Sequence, residues 1–108
     1  MSRVSFDCTM QEGQIGEELR AKLAVALQEI TQDVLGESPD DVPVRFSDIP
    51  RGFGFRGGEP STTSLVRGSI VGGVTQDVRE DFMRRICDRW MEISGCTVDE
   101  LVVSARDA

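Results

Sequence analysis

The chain has 108 residues, of which 39% are hydrophobic and 29% are charged, a composition typical of one globular domain. No stretch approaches the roughly 20 consecutive apolar residues of a membrane helix, and the formal net charge of −7 opposes binding to a nucleic-acid backbone. The first residues alternate polar and apolar and do not form a secretory signal, so we expect a cytoplasmic protein with neither membrane nor nucleic acid as partner.

The first part of the chain predicts a strand, a helix and a second strand. Apolar residues first alternate with polar ones, which is typical of a strand with one buried face; they are Val4, Phe6, Cys8 and Met10. The apolar period then changes to three or four, which predicts a helix of roughly 20 residues whose buried stripe is Leu19, Leu23, Ala26, Leu27, Ile30 and Val34. Gly36 is expected to end this helix in the left-handed conformation. Val42, Val44 and Phe46 predict a second strand, parallel to the first.

The segment from Asp48 to Ser61 connects the two halves. Its four glycines and two prolines in fourteen residues predict a loop without regular structure. Arginine and phenylalanine alternate with the glycines; these residues are Arg51, Phe53, Phe55 and Arg56. Either the phenylalanines pack against a neighbouring subunit, or glycine amides and arginines form an anion-binding rim.

The second part of the chain predicts the same order of elements. A strand over Leu65–Val71 ends at Gly72 and Gly73, and Thr75 is a candidate N-cap for the next helix. The buried stripe of that helix is Val78, Phe82, Ile86, Trp90 and Ile93. Gly95 is expected to end the helix, and Leu101 and Val103 predict the last strand.

The two halves repeat each other at a spacing of 59 residues. Arg20 corresponds to Arg79 and Gly36 to Gly95 at this spacing. We expect a single domain over 1–108, with β-α-β units at 1–49 and 62–108 and a connecting loop at 50–61. The predicted fold class is α+β, with two pseudo-two-fold-related units, a four-stranded mixed sheet and both helices on one face. A ferredoxin-like split sheet is the alternative.

The sheet face away from the helices is expected to be apolar enough to require a partner. Leaving such a face in water would be unfavourable, so we predict that the chain assembles with copies of itself.

The cysteines predict no metal site and no disulfide framework. Cys8, Cys87 and Cys96 are an odd number without a C-x-x-C spacing, and the chain has no histidine. We expect reduced thiols, no bound metal and no cofactor. Cys8 could serve as a nucleophile, but its register on the apolar side of the first strand favours core packing.

Two stretches resemble the tautomerase superfamily, which includes 4-oxalocrotonate tautomerase and macrophage migration inhibitory factor. They are Val44–Pro50 continuing to the Gly57-Gly58 turn, and Arg67–Thr75. They are most similar to the double-length members that resemble cis-chloroacrylate dehalogenase. The resemblance implies a homotrimer whose sheets enclose a central barrel, with active sites near the subunit boundaries. It also implies an amino-terminal proline that acts as general base or acid on enol and keto acids, while arginines hold the substrate carboxylates.

The chain departs from this family pattern at the positions that carry the chemistry. Ser2, not proline, follows Met1, and if Met1 is retained the nitrogen of Ser2 is an amide that cannot accept a proton. Val71 and Val74 stand where the dehalogenase-like members carry two substrate-binding arginines, and no histidine is present.

Two kinds of function are therefore predicted. The first is a protein without the proline base that is weak or inactive as a tautomerase. It binds a small carboxylate at an arginine-containing pocket on the subunit boundary, or it has a structural or regulatory role as a trimer. The second is an active isomerase or lyase on small enol or keto acids, with Ser2 and Arg67 as catalytic residues. The candidate substrate-binding residues are Arg3, Arg51, Arg56, Phe53 and Phe55.

Overall fold

The computed structural model describes residues 2–108, so the expectations about Met1 lie outside the described residues. The main elements are β1 (Val4–Gln11), α1 (Glu17–Leu35), β2 (Val44–Ile49), β3 (Phe55–Arg56), β4 (Glu59–Pro60), β5 (Ser64–Ile70), α2 (Gln76–Ser94) and β6 (Leu101–Asp107). Two short 3-10 helices, Pro39–Asp41 and Val98–Glu100, precede β2 and β6. Neither α1 nor α2 has the length and apolar character needed to cross a membrane.

The main sheet has four strands in the order β2-β1-β5-β6. β1 pairs in parallel with β2, and β5 pairs in parallel with β6. The two units meet through the antiparallel pairing of β1 with β5. Because the two strands of each β-α-β unit are direct neighbours, the ferredoxin-like alternative is wrong: a split sheet needs another strand between them. The α+β fold with two pseudo-two-fold-related units is confirmed.

The core lies between the sheet and the two helices. The alternating side chains Val4, Phe6, Cys8 and Met10 of β1 are all buried, as their period predicts. Phe82 and Trp90 of α2 are buried with them, and the rings of Phe6 and Phe82 lie 5.9 Å apart. Gly68 of β5 lies directly against Phe6, because a Cβ at position 68 would be 3.2 Å from the Phe6 ring. The glycine thus leaves room for an aromatic side chain in the centre of the core.

Equivalent arginine hydrogen bonds connect the start of each helix to the end of a strand. Arg20 of α1 donates hydrogen bonds to the Ile15 carbonyl and to Asp48. Arg79 of α2 donates to the Val74 carbonyl and to Asp107, so these two partners are repeated at the spacing of 59 residues. The end of each helix is repeated as well: the predicted left-handed glycines Gly36 and Gly95 have φ values of 72° and 77°. The predicted N-cap of α2 is also present, because Thr75 Oγ1 accepts a hydrogen bond from the Val78 N–H.

Two local predictions were wrong. Val42 does not belong to β2; it is buried at the end of the first 3-10 helix, and pairing with β1 begins only at Val44. The connecting segment is not free of regular structure, because Phe55–Arg56 and Glu59–Pro60 form a small antiparallel hairpin. Gly57 and Gly58 both have positive φ, which permits the tight two-residue turn between them.

The prediction of an apolar open face, meaning the sheet face away from the helices, was also wrong. Alternation sends the apolar side chains of β1 to the helices and leaves Ser5, Asp7 and Thr9 on the open face. The open-face residues Arg67 of β5 and Arg106 of β6 are exposed and charged. Apolar side chains on this face occur towards one end, where Leu65 and Val102 are exposed. Most of the face is therefore polar.

Candidate functional site

The start of β1 holds two of the predicted site residues, Ser2 and Arg3, and both are bound by Glu37. The Ser2 hydroxyl donates to Glu37 Oε1 over 2.9 Å, and the Arg3 backbone N–H donates to the same oxygen over 3.1 Å. Arg3 Nε lies 3.6 Å from Glu37 Oε2. Glu37 directly follows Gly36, whose left-handed turn brings the chain out of α1. Ser2, Arg3 and Glu37 are called the strand-start network below.

The Arg3 guanidinium is held by other parts of the protein as well. Its Nη1 donates to the Val71 carbonyl over 3.3 Å and to the Gly73 carbonyl over 3.1 Å. These contacts join the start of β1 to the segment after β5, where Val71 and Val74 lie. The end of the sheet at which the resemblance implies two arginines and a proline thus carries two valines, and Arg3, which also lies there, is bound to Glu37 and to backbone carbonyls.

The strand-start network predicts a measurable sensitivity to acid. Hydrogen bonds from the Arg3 N–H and the Ser2 hydroxyl lower the pKa of Glu37 below its ordinary value of 4.5. Because the folded-state pKa is depressed, the stabilisation is present above the unfolded-state pKa and is lost as the pH falls through the folded-state value. We expect Glu37→Gln to flatten the decrease in melting temperature between about pH 6 and pH 3.

Thermal denaturation of both proteins across this pH range measures the effect. The control is a Glu29→Gln variant, since Glu29 is an exposed helical glutamate. If the curves of the wild type and Glu37→Gln run parallel, Glu37 contributes nothing to the acid sensitivity.

Arg67 lies in the middle of β5, on the open face. It is opposite Asp7 of β1 and opposite Ser104 of β6. It lines a polar cleft of about 200 Å³, together with Asp7, Gly68, Ser69, Ser104 and Arg106. Ser2 precedes Asp7 by five residues, so the two predicted catalytic residues are separated by roughly 16 Å along the strand direction of one chain. Within one chain, Ser2 and Arg67 do not form a common site.

The four predicted residues of the connecting segment lie at the other end of the sheet. Phe53 and Phe55 are 80% and 65% exposed. Arg56 Nη2 is 4.0 Å from Asp99, an exposed and therefore weak ion pair. Arg51 lines a polar cleft of about 290 Å³ beside Gly13 and Gly54.

A second cleft at this end has mainly apolar walls. It measures about 330 Å³, and its lining includes Ile49, Phe55, Leu65 and Val102. The structure thus divides the sequence-predicted site residues among three regions: the start of β1, the middle of β5, and the connecting segment.

Sequence reasoning missed Glu37 and the open-face partners of Arg67. In the sequence, Glu37 is a glutamate that directly follows the end of a helix. No local pattern connects it with Ser2, which lies 35 positions away. Arg106 was missed because the last strand was expected to centre on Leu101 and Val103, whereas β6 continues to Asp107. The alternation of Val103 and Ala105 with Ser104 and Arg106 was a signal that could have revealed the longer strand.

The interpretation of Cys8 and Trp90 as core residues is confirmed. Both are 1% exposed. Burial, and secondarily the negative charge of Asp7, raises the pKa of the Cys8 thiol to about 12. Cys8 is therefore a neutral thiol at physiological pH and does not provide a nucleophilic thiolate.

The fold of the chain matches solved structures along nearly its whole length. The crystal structure of native Ps01740 has a TM-score of 0.91 and 28% sequence identity, covering 96% of this chain and 93% of that chain. The crystal structure of N1, a member of the cis-3-chloroacrylic acid dehalogenase family, has a TM-score of 0.90 and 21% sequence identity, covering 96% of this chain and 74% of that chain. The fused 4-OT wild type asymmetric trimer has a TM-score of 0.87 and 16% sequence identity, covering 96% of this chain and 85% of that chain.

In contrast to these structural matches, no protein-family model matches the chain. No curated protein matches it either. The topology and the close agreement with several solved structures identify the architecture: the chain has the fold of the tautomerase superfamily.

Proposed function

We propose that this chain is a self-associating tautomerase-fold protein that binds a small carboxylate through arginine and has weak or no keto-enol tautomerase activity. The observation that carries the proposal is the strand-start network, in which Glu37 binds the Ser2 hydroxyl and the Arg3 N–H. Tautomerase chemistry needs a neutral amine beside a bound substrate anion. At the start of this chain the Glu37 carboxylate lies beside Ser2 instead.

Electrostatics at the strand start oppose tautomerase chemistry in two ways. The negative charge of Glu37 repels the carboxylate of an enol or keto acid. It also favours the protonated form of any amine beside it, which raises the amine's pKa and weakens it as a base near pH 7. Arg3 is already bound to Glu37 and to two backbone carbonyls. Val71 and Val74 supply no further cation for a substrate anion. We therefore assign carboxylate binding to arginines elsewhere, and our candidate is Arg67, which is exposed on the open face and lines a cleft with Arg106.

Self-association is supported by the exposed apolar residues and by the fold. Phe53 and Phe55 are large, exposed side chains. Phe55 lies on the short hairpin and lines the apolar cleft with Leu65 and Val102, and Phe53 precedes the hairpin by two residues. The fused 4-OT neighbour is described as a trimer. We propose that this chain also forms a homotrimer; sedimentation equilibrium should give three times the 11.9 kDa chain mass, and a monomer at micromolar concentration would contradict the assembly.

The activity is tested by ketonisation of phenylenolpyruvate. We expect no turnover above the uncatalysed rate for the wild type, with mass spectrometry of the same sample defining its first residue. Ser2→Pro should also remain inactive, because Glu37 and the two valines are unchanged. A Ser2→Pro/Glu37→Gln double variant, measured beside Ser2→Pro, separates the effect of the missing base on activity from the effect of the Glu37 carboxylate.

Turnover by the wild type well above the uncatalysed rate would overturn the proposal. Activity in Ser2→Pro alone would mean that the pocket is intact and lacks only its base. Absence of both turnover and carboxylate binding would instead indicate a structural or regulatory assembly.

A further inference from the structure

The open face carries four side chains from β5 and β6 that converge on one cleft. In the parallel pairing of these strands, Arg67 is opposite Ser104 and Ser69 is opposite Arg106. We propose that these four residues, called the arginine-serine quartet, bind a small dianion such as a dicarboxylate or a sulfate- or phosphate-like oxyanion. This inference rests on the proposed carboxylate binding and names its residues and its preferred ligand charge.

The geometry of the quartet suits one shared ligand. Arg67 and Arg106 are diagonal neighbours on the same face, a relation that spaces Cα atoms by about 7–8 Å and lets long side chains meet. The two serine hydroxyls occupy the other diagonal, where each can donate a hydrogen bond. The cleft that the four residues line has a volume of about 200 Å³. A guanidinium group binds two oxygens of a carboxylate, sulfate or phosphate through two parallel hydrogen bonds.

The charges around the quartet favour an anion. Among residues 2–108, neither Arg67 nor Arg106 takes part in an ion pair. Asp7, which also lines the cleft, has Arg45 as its ion-pair partner at 3.9 Å. The local group of Asp7, Arg45, Arg67 and Arg106 is thus net positive in a chain whose overall charge is −7.

The two unpaired arginines also explain the preference for a double charge. Like charges that are diagonal neighbours on one face repel each other, and an anion that lies between them relieves this repulsion. A dianion neutralises both guanidinium groups, whereas a monoanion leaves one positive charge uncompensated. The nearby carboxylate of Asp7 repels any anion, and a ligand that binds both arginines compensates this repulsion better than a ligand that binds only one.

Isothermal titration calorimetry of the full chain tests the quartet. Sulfate and malonate serve as dianions and acetate as the monoanion, at pH 7.5 and low ionic strength. We expect sulfate and malonate to bind the wild type more tightly than acetate. Arg67→Ala and Arg106→Ala should each weaken dianion binding by roughly tenfold or more, because each removes a charged hydrogen-bond donor.

Arg84→Ala is the matched control, since Arg84 is exposed on α2 and has no ion pair among the residues of the described chain. It changes the net charge by the same amount and should leave the affinity within about twofold. Arg67→Lys, which keeps the charge but not the planar fork, should weaken dianion binding as well. Circular dichroism of each variant establishes that the fold is retained.

The outcomes separate the quartet from the proposed function. Malonate binding that Arg67→Ala and Arg106→Ala leave unchanged would overturn the quartet while the proposed carboxylate binding stands. Equal affinity for acetate and malonate would overturn the dianion preference. If none of the three anions binds to the wild type, both the quartet and the proposed carboxylate binding are overturned. The phenylenolpyruvate assay tests the tautomerase activity independently of this result.

Discussion

Replacing Phe82 by alanine should lower the free energy of unfolding by about 3–5 kcal/mol. Phe82 is completely buried in the middle of α2 and packs against the Phe6 ring of β1. The substitution removes the transfer free energy of a whole aromatic ring and leaves a cavity between helix and sheet. Since small domains are stable by only about 5–15 kcal/mol, this loss is a large fraction of the stability of such a domain.

Urea denaturation followed by the fluorescence of Trp90, the single tryptophan, measures this change. Phe82 is the better choice than Trp90 itself because the variant keeps the spectroscopic probe. Val98→Ala is the control at a residue that is 74% exposed, and it should change the unfolding free energy by less than about 0.5 kcal/mol. A similarly small effect of Phe82→Ala would mean that α2 does not pack on the sheet as described.

Arg79→Ala should be the most destabilising removal of a charged side chain, with a loss of about 2–3 kcal/mol. The Arg79 side chain is only 14% exposed. It donates to the Ala105 carbonyl over 2.7 Å, to the Val74 carbonyl over 3.2 Å and to Asp107 Oδ1 over 2.6 Å. Alanine would leave two partly buried carbonyl groups without these donors and would detach the start of α2 from the end of β6.

The internal repeat supplies a matched comparison for Arg79. Arg20 makes the equivalent contacts with the Ile15 carbonyl and Asp48, but its side chain is 21% exposed and lacks a counterpart of the bond to Ala105. We therefore expect Arg20→Ala to cost less than Arg79→Ala, and exposed Arg84→Ala to be nearly neutral. Chemical denaturation of the three variants tests this order. Equal stabilities for Arg79→Ala and Arg84→Ala would contradict the structural role of Arg79.

Local patterns predicted the regular elements well, because those patterns depend on neighbours in the chain. The alternation around Phe6 identified β1, and the apolar stripe through Phe82 and Trp90 identified α2. The two helix ends at Gly36 and Gly95 could be predicted since a left-handed residue strongly favours glycine. The spacing of 59 residues between the halves also predicted the doubled plan of the sheet.

The sequence pattern failed where a result depended on which strands become neighbours. The choice between adjacent and split strands needed the pairing of β1 with β2 and of β5 with β6. The polar open face followed from the register of several strands together, whereas the prediction of an apolar face counted hydrophobic residues without assigning each to a side. The hairpin of β3 and β4 depended on a specific turn inside a segment whose composition suggested only a loop.

The amino-acid sequence by itself determined the order of strands and helices, the positions of the helix ends, the buried stripe and the resemblance to the tautomerase superfamily. These features arise from the covalent order of side chains and from periods of two or about 3.6 residues. Only the tertiary structure decided that Glu37 binds Ser2 and Arg3, and that Arg67 and Arg106 share a cleft. Such contacts join residues 34 or more positions apart, and their distances are set by strand register and helix packing, which no local period encodes.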